Sequence, residues 1–481
     1  MSEITPDNTK IAVLGLGHIG LPTALGLAEI GWDVIGADQS ADLVKSLVAG
    51  IVPFYEPGVE SLLQKHLATG RFRPVQEVAV AVASASVIFV CVGTPQGRDG
   101  AADLRQVEAA ARTIAQNLNG YKLIVEKSTV PALTAAWVSE SVERFAQART
   151  NGSGNAPSPS PLSRITFDVA SNPEFLQEGK ALENFFSPDR IVLGTGSARA
   201  RQILEAIYRP LGRPMVVTTP ATAELIKHAA NAFLAVKLSF INMVSDICDT
   251  IGADVDDVAR AIGLDSRIGP GFLRAGLGFG GPCLPKDLRA FIHLAEEVGV
   301  EAPLLQAAEH INQQRAEVFL RKVRGALPVV QGKTLAVLGL AFKPETDDLR
   351  EAPSLRIIEA LSNQGASLRL YDPQAMAGAK LLIPEHSGQI TYCSSPYEAA
   401  RGAHALLILT EWGEFQELDL RTMGAAMETP ILIDGRNIYS PLAARQAGFE
   451  YHCMGRDADS RASLETGHQN SPENLAARAK S

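Results

Sequence analysis

The sequence predicts an α/β protein: two Rossmann-like doubly wound domains joined by a long central helix and a helical dimerisation domain. Three observations predict it. A short apolar strand, a glycine-rich turn, a helix and a second strand follow one another from Ile11. The same order returns from Lys333. Between them lies helical apolar spacing sustained for about nine turns without an internal Gly or Pro. The expected boundaries are an N-terminal domain over 1–217, a central helical domain over 218–318, a C-terminal domain over 319–456, and a polar tail of disordered composition over 457–481.

IAVLGLGHIG, residues 11 to 20, supplies the first strand and turn. Gly15 makes the tight turn, Gly17 lets the backbone approach a pyrophosphate, and Gly20 packs helix on strand. The next strand, DVIGAD, ends at Asp38, 18 residues after Gly20. An acid there accepts hydrogen bonds from a ribose diol and repels a 2′-phosphate, which favours NAD over NADP. Further strand-like runs are SVIFVCVGTP (86–95), KLIVEKSTVP (122–131) and ITFDVASNPEF (165–175). Ligands of an open parallel sheet sit at the carboxyl ends of its strands, so Thr94, Ser128, Thr129 and Asn172 are expected to face one crevice. Cys91, inside an apolar strand, reads as core. Residues 148–164 are rich in Ser, Pro, Gly and Asn and read as a surface excursion without assigned function.

From about Thr218 the helical pattern begins. Lys227 and Asn231 stand four residues apart and so share a face. They either meet one ligand or are a solvated Lys and a chance Asn. KTLAVLGLAFKPETDDLREAPS (333–354) then repeats the strand-to-turn layout, and the following strand ends at Asp372. HALLILTEW (404–412) and PILIDGRN (430–437) are two further strand candidates. The turn from Gly339 to Lys343 carries bulk where later glycines would stand, so this domain is expected to bind something other than NAD. Lys343 suits a phosphate or a sugar carboxylate.

A net charge of −9 argues against nucleic acid or an anionic membrane as the main partner. No uninterrupted apolar run approaches the ~20 residues of a bilayer span, and the N-terminus lacks a signal-peptide layout. The five cysteines are far apart and show no metal-ligand spacing, which indicates a reducing compartment. The expectation is a cytoplasmic protein without a metal site.

One cysteine stands apart. In GFGGPCLPKD (278–287), Cys283 lies among glycines and prolines with Lys286 and Asp287 behind it. A nucleophilic thiol adds something a simple alcohol dehydrogenase does not need. An aldehyde has no second hydride to give readily, but its thiohemiacetal does, and loss of that hydride leaves a thioester for water to hydrolyse. The chemistry requires a reactive Cys, a cation or amide near the oxyanion, and a carboxylate with water. Cys283, Lys227 with Asn231, and Asp287 with Glu174 fit those roles, and Lys286 would favour the thiolate.

The motifs VGTP, EKSTVP, SNPEFLQEG, KHAANAFLAVK, GFGGPCLPKD, FKPETDDLREAPS and IDGRNIY resemble, in order, those of the UDP-glucose/GDP-mannose dehydrogenase family, from about Ile11 to Gly455. The resemblance implies NAD-dependent four-electron oxidation of UDP-glucose to UDP-glucuronate. GDP-mannose and UDP-N-acetylhexosamines stay open as substrates. It implies that Cys283 is the nucleophile, Lys227 and Asn231 the oxyanion and water pair, and Asp287 the holder of the water. Glu174 would assist thioester hydrolysis, and Thr129 would line the water and cofactor site. Phe175, Leu176 and Glu178 would form part of the sugar and cofactor wall. Phe272, Leu273, Gly276 and Gly280 would form the substrate loop. Lys343 and Arg436 would contact substrate, and Lys286 and Arg350 the cofactor. Arg267 would reach the sugar nucleotide of a neighbouring subunit, making the active form at least a dimer. Pro282, where relatives usually carry Ser, gives up a backbone N–H, and Leu43 stands where a Lys is usual. Two rivals remain. A two-electron hydroxyacid dehydrogenase would need neither Cys283 nor a second α/β domain, and a silent nucleotide-binding regulator would gain nothing from a nucleophile.

Overall fold

The computed structural model describes residues 4–5, 8–97, 101–151, 166–385 and 389–456. The chain divides into two compact units, one of residues 1–230 with 289–300, the other of 231–288 with 301–481. The expected polar tail lies outside the described residues. So does the Ser/Pro-rich excursion beyond Asn151, whose first four residues instead end the helix Thr134–Asn151.

The first unit is built on eight strands: β1 (Lys10–Leu14), β2 (Asp33–Ala37), β3 (Phe72–Val75), β4 (Val87–Val90), β5 (Lys122–Glu126), β6 (Phe167–Ser171), β7 (Ile191–Gly194) and β8 (Met215–Thr218). Their order is β3-β2-β1-β4-β5-β6-β7-β8. Neighbours run parallel except β6 and β7. The first six follow the 3-2-1-4-5-6 order of doubly wound dinucleotide folds. Strands buried on both faces must be apolar throughout, and β4 (VIFV) is buried at every position. Two of the turn glycines are fixed by sterics. Gly15 has φ of +88°, and a Cβ there would lie 2.5 Å from the Cys91 carbonyl. A Cβ on Gly20 would lie 1.8 Å from the Gly15 carbonyl oxygen. At both positions any side chain would break the approach of helix to strand.

The second unit holds β9 (Thr334–Leu338), β10 (Ser367–Tyr371), β11 (Ile390–Tyr392), β12 (Ala405–Ile408), β13 (Ile431–Asp434) and β14 (Glu450–Cys453). All neighbours are parallel, in the order β11-β10-β9-β12-β13-β14. This is the same topology again. The acid at the end of its second strand is used differently, however. Asp372 is 1% exposed and accepts from the backbone N–H groups of Leu340, Ala341, Gln374 and Ala375 and from Trp412 Nε1. Its oxygens are consumed by the turn, which leaves nothing for a ribose diol. This is a physical reason for the second domain to take a ligand other than NAD.

The helix Pro220–Ile251 begins with proline, as a first-turn residue can. An 18-residue window of it has a mean hydropathy of 1.3, long and apolar enough to cross a membrane by length and composition. Polar residues such as Lys227, Asn231 and Asn242 interrupt the helix's apolar run, and 44% of its apolar window is buried inside the protein.

Candidate active site

In the first unit the carboxyl ends of the strands gather buried polar groups. Past β2, Asp38 accepts from Leu16 N (2.8 Å) with one oxygen and from Ser40 N (2.9 Å) with the other. It is only half-buried, so the remaining lone pairs stay accessible. A Cβ on Gly17 would meet nothing within 4 Å. The fold itself does not require glycine there, and the open space suits the close approach of a pyrophosphate. The cradle therefore fits NAD. After β5, the Thr94 hydroxyl donates to the Thr129 carbonyl (2.8 Å), and the Ser128 hydroxyl donates to the carbonyls of Val90 and Val92. After β6, Glu174 forms a buried ion pair with Lys227, Oε1 to Nζ 3.1 Å, both side chains under 5% exposed. Its other oxygen accepts from Leu176 N (2.5 Å). Phe175 lies between two cations, Arg190 at 3.7 Å and Lys227 at 5.4 Å from the ring centroid. Lys227 thus belongs to a built polar site rather than to a solvated face.

In the second unit Cys283 is half-buried and immediately precedes the helix Leu284–Glu297. Its carbonyl accepts from Asp287 N (2.8 Å), the first bond of that helix. A thiol at a helix N-terminus is biased toward thiolate by the helix dipole. One turn on, Asp287 is 1% exposed, with one hydrogen bond to each oxygen. It accepts from Asn231 Nδ2 at 2.6 Å and from Lys286 Nζ at 2.6 Å. The loop leading to the thiol is pinned from beneath. Gly276 N donates to Asn242 Oδ1, Phe279 exchanges two backbone bonds with the Asn312 amide, and the buried Arg315 donates to the Gly276 carbonyl and to Asp246. The space beside its glycines is filled by protein. A Cβ would lie 2.9 Å from the Gly435 carbonyl at Gly276, 2.2 Å from the Glu351 carbonyl at Gly280, and 2.5 Å from the Phe342 ring at Gly281.

Other expected residues take a variety of places. Arg436 donates to the carbonyls of Leu409 (2.8 Å) and Gly278 (3.1 Å), and so ties the loop to the second sheet. Leu273 lies in an apolar cluster with Ile241, Cys248 and Val255. Phe272 adopts φ of +61° beside it. Lys343 is half-buried with Nζ 5.8 Å from the Phe342 ring centroid. Glu178 is half-buried. Arg267 and Arg350 are exposed and pair with Asp265 and Asp348 within their own loops.

Three family models match the chain in order: the NAD binding domain over residues 9–212, the central domain over 221–314 and the UDP binding domain over 336–441 of the UDP-glucose/GDP-mannose dehydrogenase family. The chain belongs to this family. Its first unit takes NAD. The UDP-glucose 6-dehydrogenase of Rhizobium meliloti (strain 1021) is 43% identical over 454 residues, covering 93% of this chain and 99% of the relative. UDP-glucose 6-dehydrogenase TuaD of Bacillus subtilis (strain 168) is 41% identical over 93% of this chain and 94% of its own. A solved UDP-glucose dehydrogenase from the hyperthermophilic archaeon Pyrobaculum islandicum superposes with a TM-score of 0.84 at 37% identity, covering 93% and 99% of the two chains.

Sequence reasoning passed over several buried charged groups of the first unit, among them Glu56, Glu224, Glu126 and Lys127. Glu56 accepts from Gly179 N and Ala181 N and so anchors the loop that carries Glu174 and Glu178. Glu224 accepts from Leu133 N and Ala135 N, and burial pushes its carboxyl up to about 7. Glu126 is fully buried at the end of β5, where burial pushes its carboxyl up to about 8, against the Ser128 hydrogen bonds that lower it. Lys127 follows it. The signal was available: KLIVEK places two charges directly after apolar residues of a buried strand.

Two predictions follow from these contacts. Gly20→Ala should cost about 3 kcal/mol of stability through the backbone clash, whereas Gly17→Ala should stay within about 1 kcal/mol of wild type yet weaken NAD binding about tenfold; thermal unfolding and NAD titration separate the two. Because the folded carboxyl of Glu126 titrates near 8 rather than its ordinary 4.5, its contribution is fully present below about pH 4.5 and is lost as the pH rises through about 8. Urea midpoints from about pH 5 to about pH 9 should therefore fall less for Glu126→Gln than for wild type.

Proposed function

We propose that this chain is an NAD-dependent UDP-glucose 6-dehydrogenase that oxidises UDP-glucose to UDP-glucuronate. The observation that carries this reading is Cys283 at a helix N-terminus, one turn from an Asp287 carboxylate held by Asn231 and Lys286. The names of relatives above 40% identity support glucose as the sugar. Bound NAD supplies a hydride acceptor for each of the two oxidations.

The protein's own residues account for the rest. The C6 alcohol gives its hydroxyl proton to a water held by Asp287 and a hydride to bound NAD, leaving the aldehyde, and the Cys283 thiolate then adds to its carbonyl carbon. The resulting oxyanion is stabilised by the Lys227 ammonium and the Asn231 amide. Loss of a second hydride leaves a thioester at Cys283. Water held by Asp287 attacks it, the C–S bond breaks, and uronate and thiol are released. Lys286 and Asn231 hold Asp287 by both oxygens, so its carboxylate cannot rotate away from the water. Glu174, through its pair with Lys227, assists the hydrolysis, and Thr129 lines the water and cofactor site. Arg350, Lys286 and Glu178 would serve the cofactor. Lys343, Arg436, Phe272 and the glycine loop would serve the sugar nucleotide.

We also propose a homodimer. Phe233, Phe240, Ile247 and Ile251 are between 46% and 64% exposed on the long helix, with Met243 at 41%. Phe233, Phe240 and Ile247 recur every seven residues, which makes one apolar stripe suited to a second copy. Arg267 would reach the neighbouring site from such a dimer. The five cysteines are free thiols, which supports a cytoplasmic setting.

With limiting UDP-glucose and excess NAD, the expected yield is two NADH per sugar, and Cys283→Ala should abolish uronate formation while NAD binding persists. Full four-electron turnover by that variant would sink the thioester route. Light scattering should give a dimer mass for wild type and a monomer mass for Phe233→Glu/Phe240→Glu.

A further inference from the structure

Lys127 places a buried charge among neutral hydrogen-bond partners in the first unit. Its side chain is buried at 5% exposure. Nζ lies 3.2 Å from Asn172 Oδ1, 3.5 Å from the Asn172 carbonyl and 3.5 Å from Tyr208 OH. None of these is a carboxylate. A buried cation without an anionic partner costs stability, and an apolar residue of the same shape is often the better choice for a fold. The surrounding bonds nonetheless suit an ammonium. Tyr208 OH donates to Asn172 Oδ1 (2.5 Å) and Asn172 Nδ2 donates to Val192 O, so all three atoms around Nζ are acceptors. A neutral amine would point a lone pair at one of them.

The charge has one use within reach. Asn172 stands two residues before Glu174, and Glu174 pairs with Lys227. The groups that act electrostatically on Lys127 are Cys91 past β4, Glu174 past β6 and Lys227 on the long helix. The Tyr208 phenol stands over it from the helix Ala198–Tyr208. Burial pushes the Cys91 thiol up to about 12 and the Tyr208 phenol far up, so both are neutral. Burial pulls the Lys127 ammonium down from its ordinary range and Lys227 adds to this, whereas Glu174 favours the charged form. With three acceptors around Nζ, the ammonium leaves the buried group one positive charge beside the Glu174–Lys227 pair.

We propose that Lys127 is a positioning residue of the reaction, acting through Glu174 and Lys227. It holds the Asn172–Glu174 segment in place and keeps the buried group net positive, so that an oxyanion can form beside Lys227. An isolated Glu–Lys pair in a dry site can collapse to two neutral groups by proton transfer. A second cation repels the Lys227 ammonium but attracts the carboxylate more strongly here, and so opposes that collapse.

This inference rests on the dehydrogenase reading above, and its test separates the two. Lys127→Met removes the charge and keeps the shape, while Lys127→Gln keeps a donor toward Asn172 without the charge. Both should lose about tenfold or more in kcat, with KM for NAD within about twofold of wild type and Tm unchanged or higher for the Met variant. Wild-type kcat in Lys127→Met would overturn the proposal. So would a Tm loss in Lys127→Met with turnover restored in Lys127→Gln, since hydrogen bonding alone would then be the role. If wild type ignores UDP-glucose but oxidises GDP-mannose, the substrate reading fails and the Lys127 variants are compared on GDP-mannose. Wild type inactive on both overturns the two together.

Discussion

Charge held out of water must be matched by something, and that requirement organises the carboxyl edge of the first sheet. Glu174 and Lys227 match each other. Glu56 and Glu224 match backbone N–H groups of two loops and in doing so fix their course. Glu126 is matched only in part and gives way by holding its proton. Each solution is different. Glu126 closes β5, Glu174 follows β6 and Glu224 follows β8, where the backbone leaves the sheet with polar groups to be satisfied, while Glu56 reaches the same region from the connection between two helices. The site is thus a by-product of the sheet's geometry turned to use, since the groups that stabilise the loops are neighbours of the groups assigned to the chemistry.

The second unit solves a different problem, namely how to present a thiol. A cysteine in a free loop would wander. Here the loop before Cys283 is bonded from Asn242, Asn312 and Arg315, and the helix after it begins at the next residue. The glycines at 276, 280 and 281 give their space to Gly435, Glu351 and Phe342, so they bring the second sheet's loops against the thiol-bearing loop rather than simply leaving room for sugar. Within this unit, the segments carrying Phe342, Lys343, Arg350 and Arg436 are packed into the wall of that loop.

Much of this was legible in the sequence, and the pattern of what was not is instructive. Both doubly wound sheets could be read because their central strands are short apolar runs followed by glycine turns and an acid, a local signal. Strands β3, β8, β11 and β14 escaped because they are short edge strands, where one face needs no apolar residue, and β7 (IVLG) escaped although it is apolar and buried throughout. Cys283, Asp287, Lys227 and Asn231 could be singled out by residue type and spacing. Their partners could not, because Asn242, Asn312 and Arg315 sit on helices as ordinary polar residues, and only the fold brings them under the loop. Asp372 is the sharpest case. By sequence it is the counterpart of Asp38, and only its five hydrogen bonds reveal that it is spent on its own turn.

The division of the chain has a consequence for how such proteins can be recombined. The two compact units exchange the chain at Ala230, Leu288 and Val300, and the first two crossings fall inside helices. A single splice between two relatives therefore cannot transplant one unit whole. A chimera that took its sugar-binding half from another member would have to cut helices mid-turn and rejoin three junctions in register. Change of substrate within this architecture is accordingly easier by substitution in the loops than by exchange of modules.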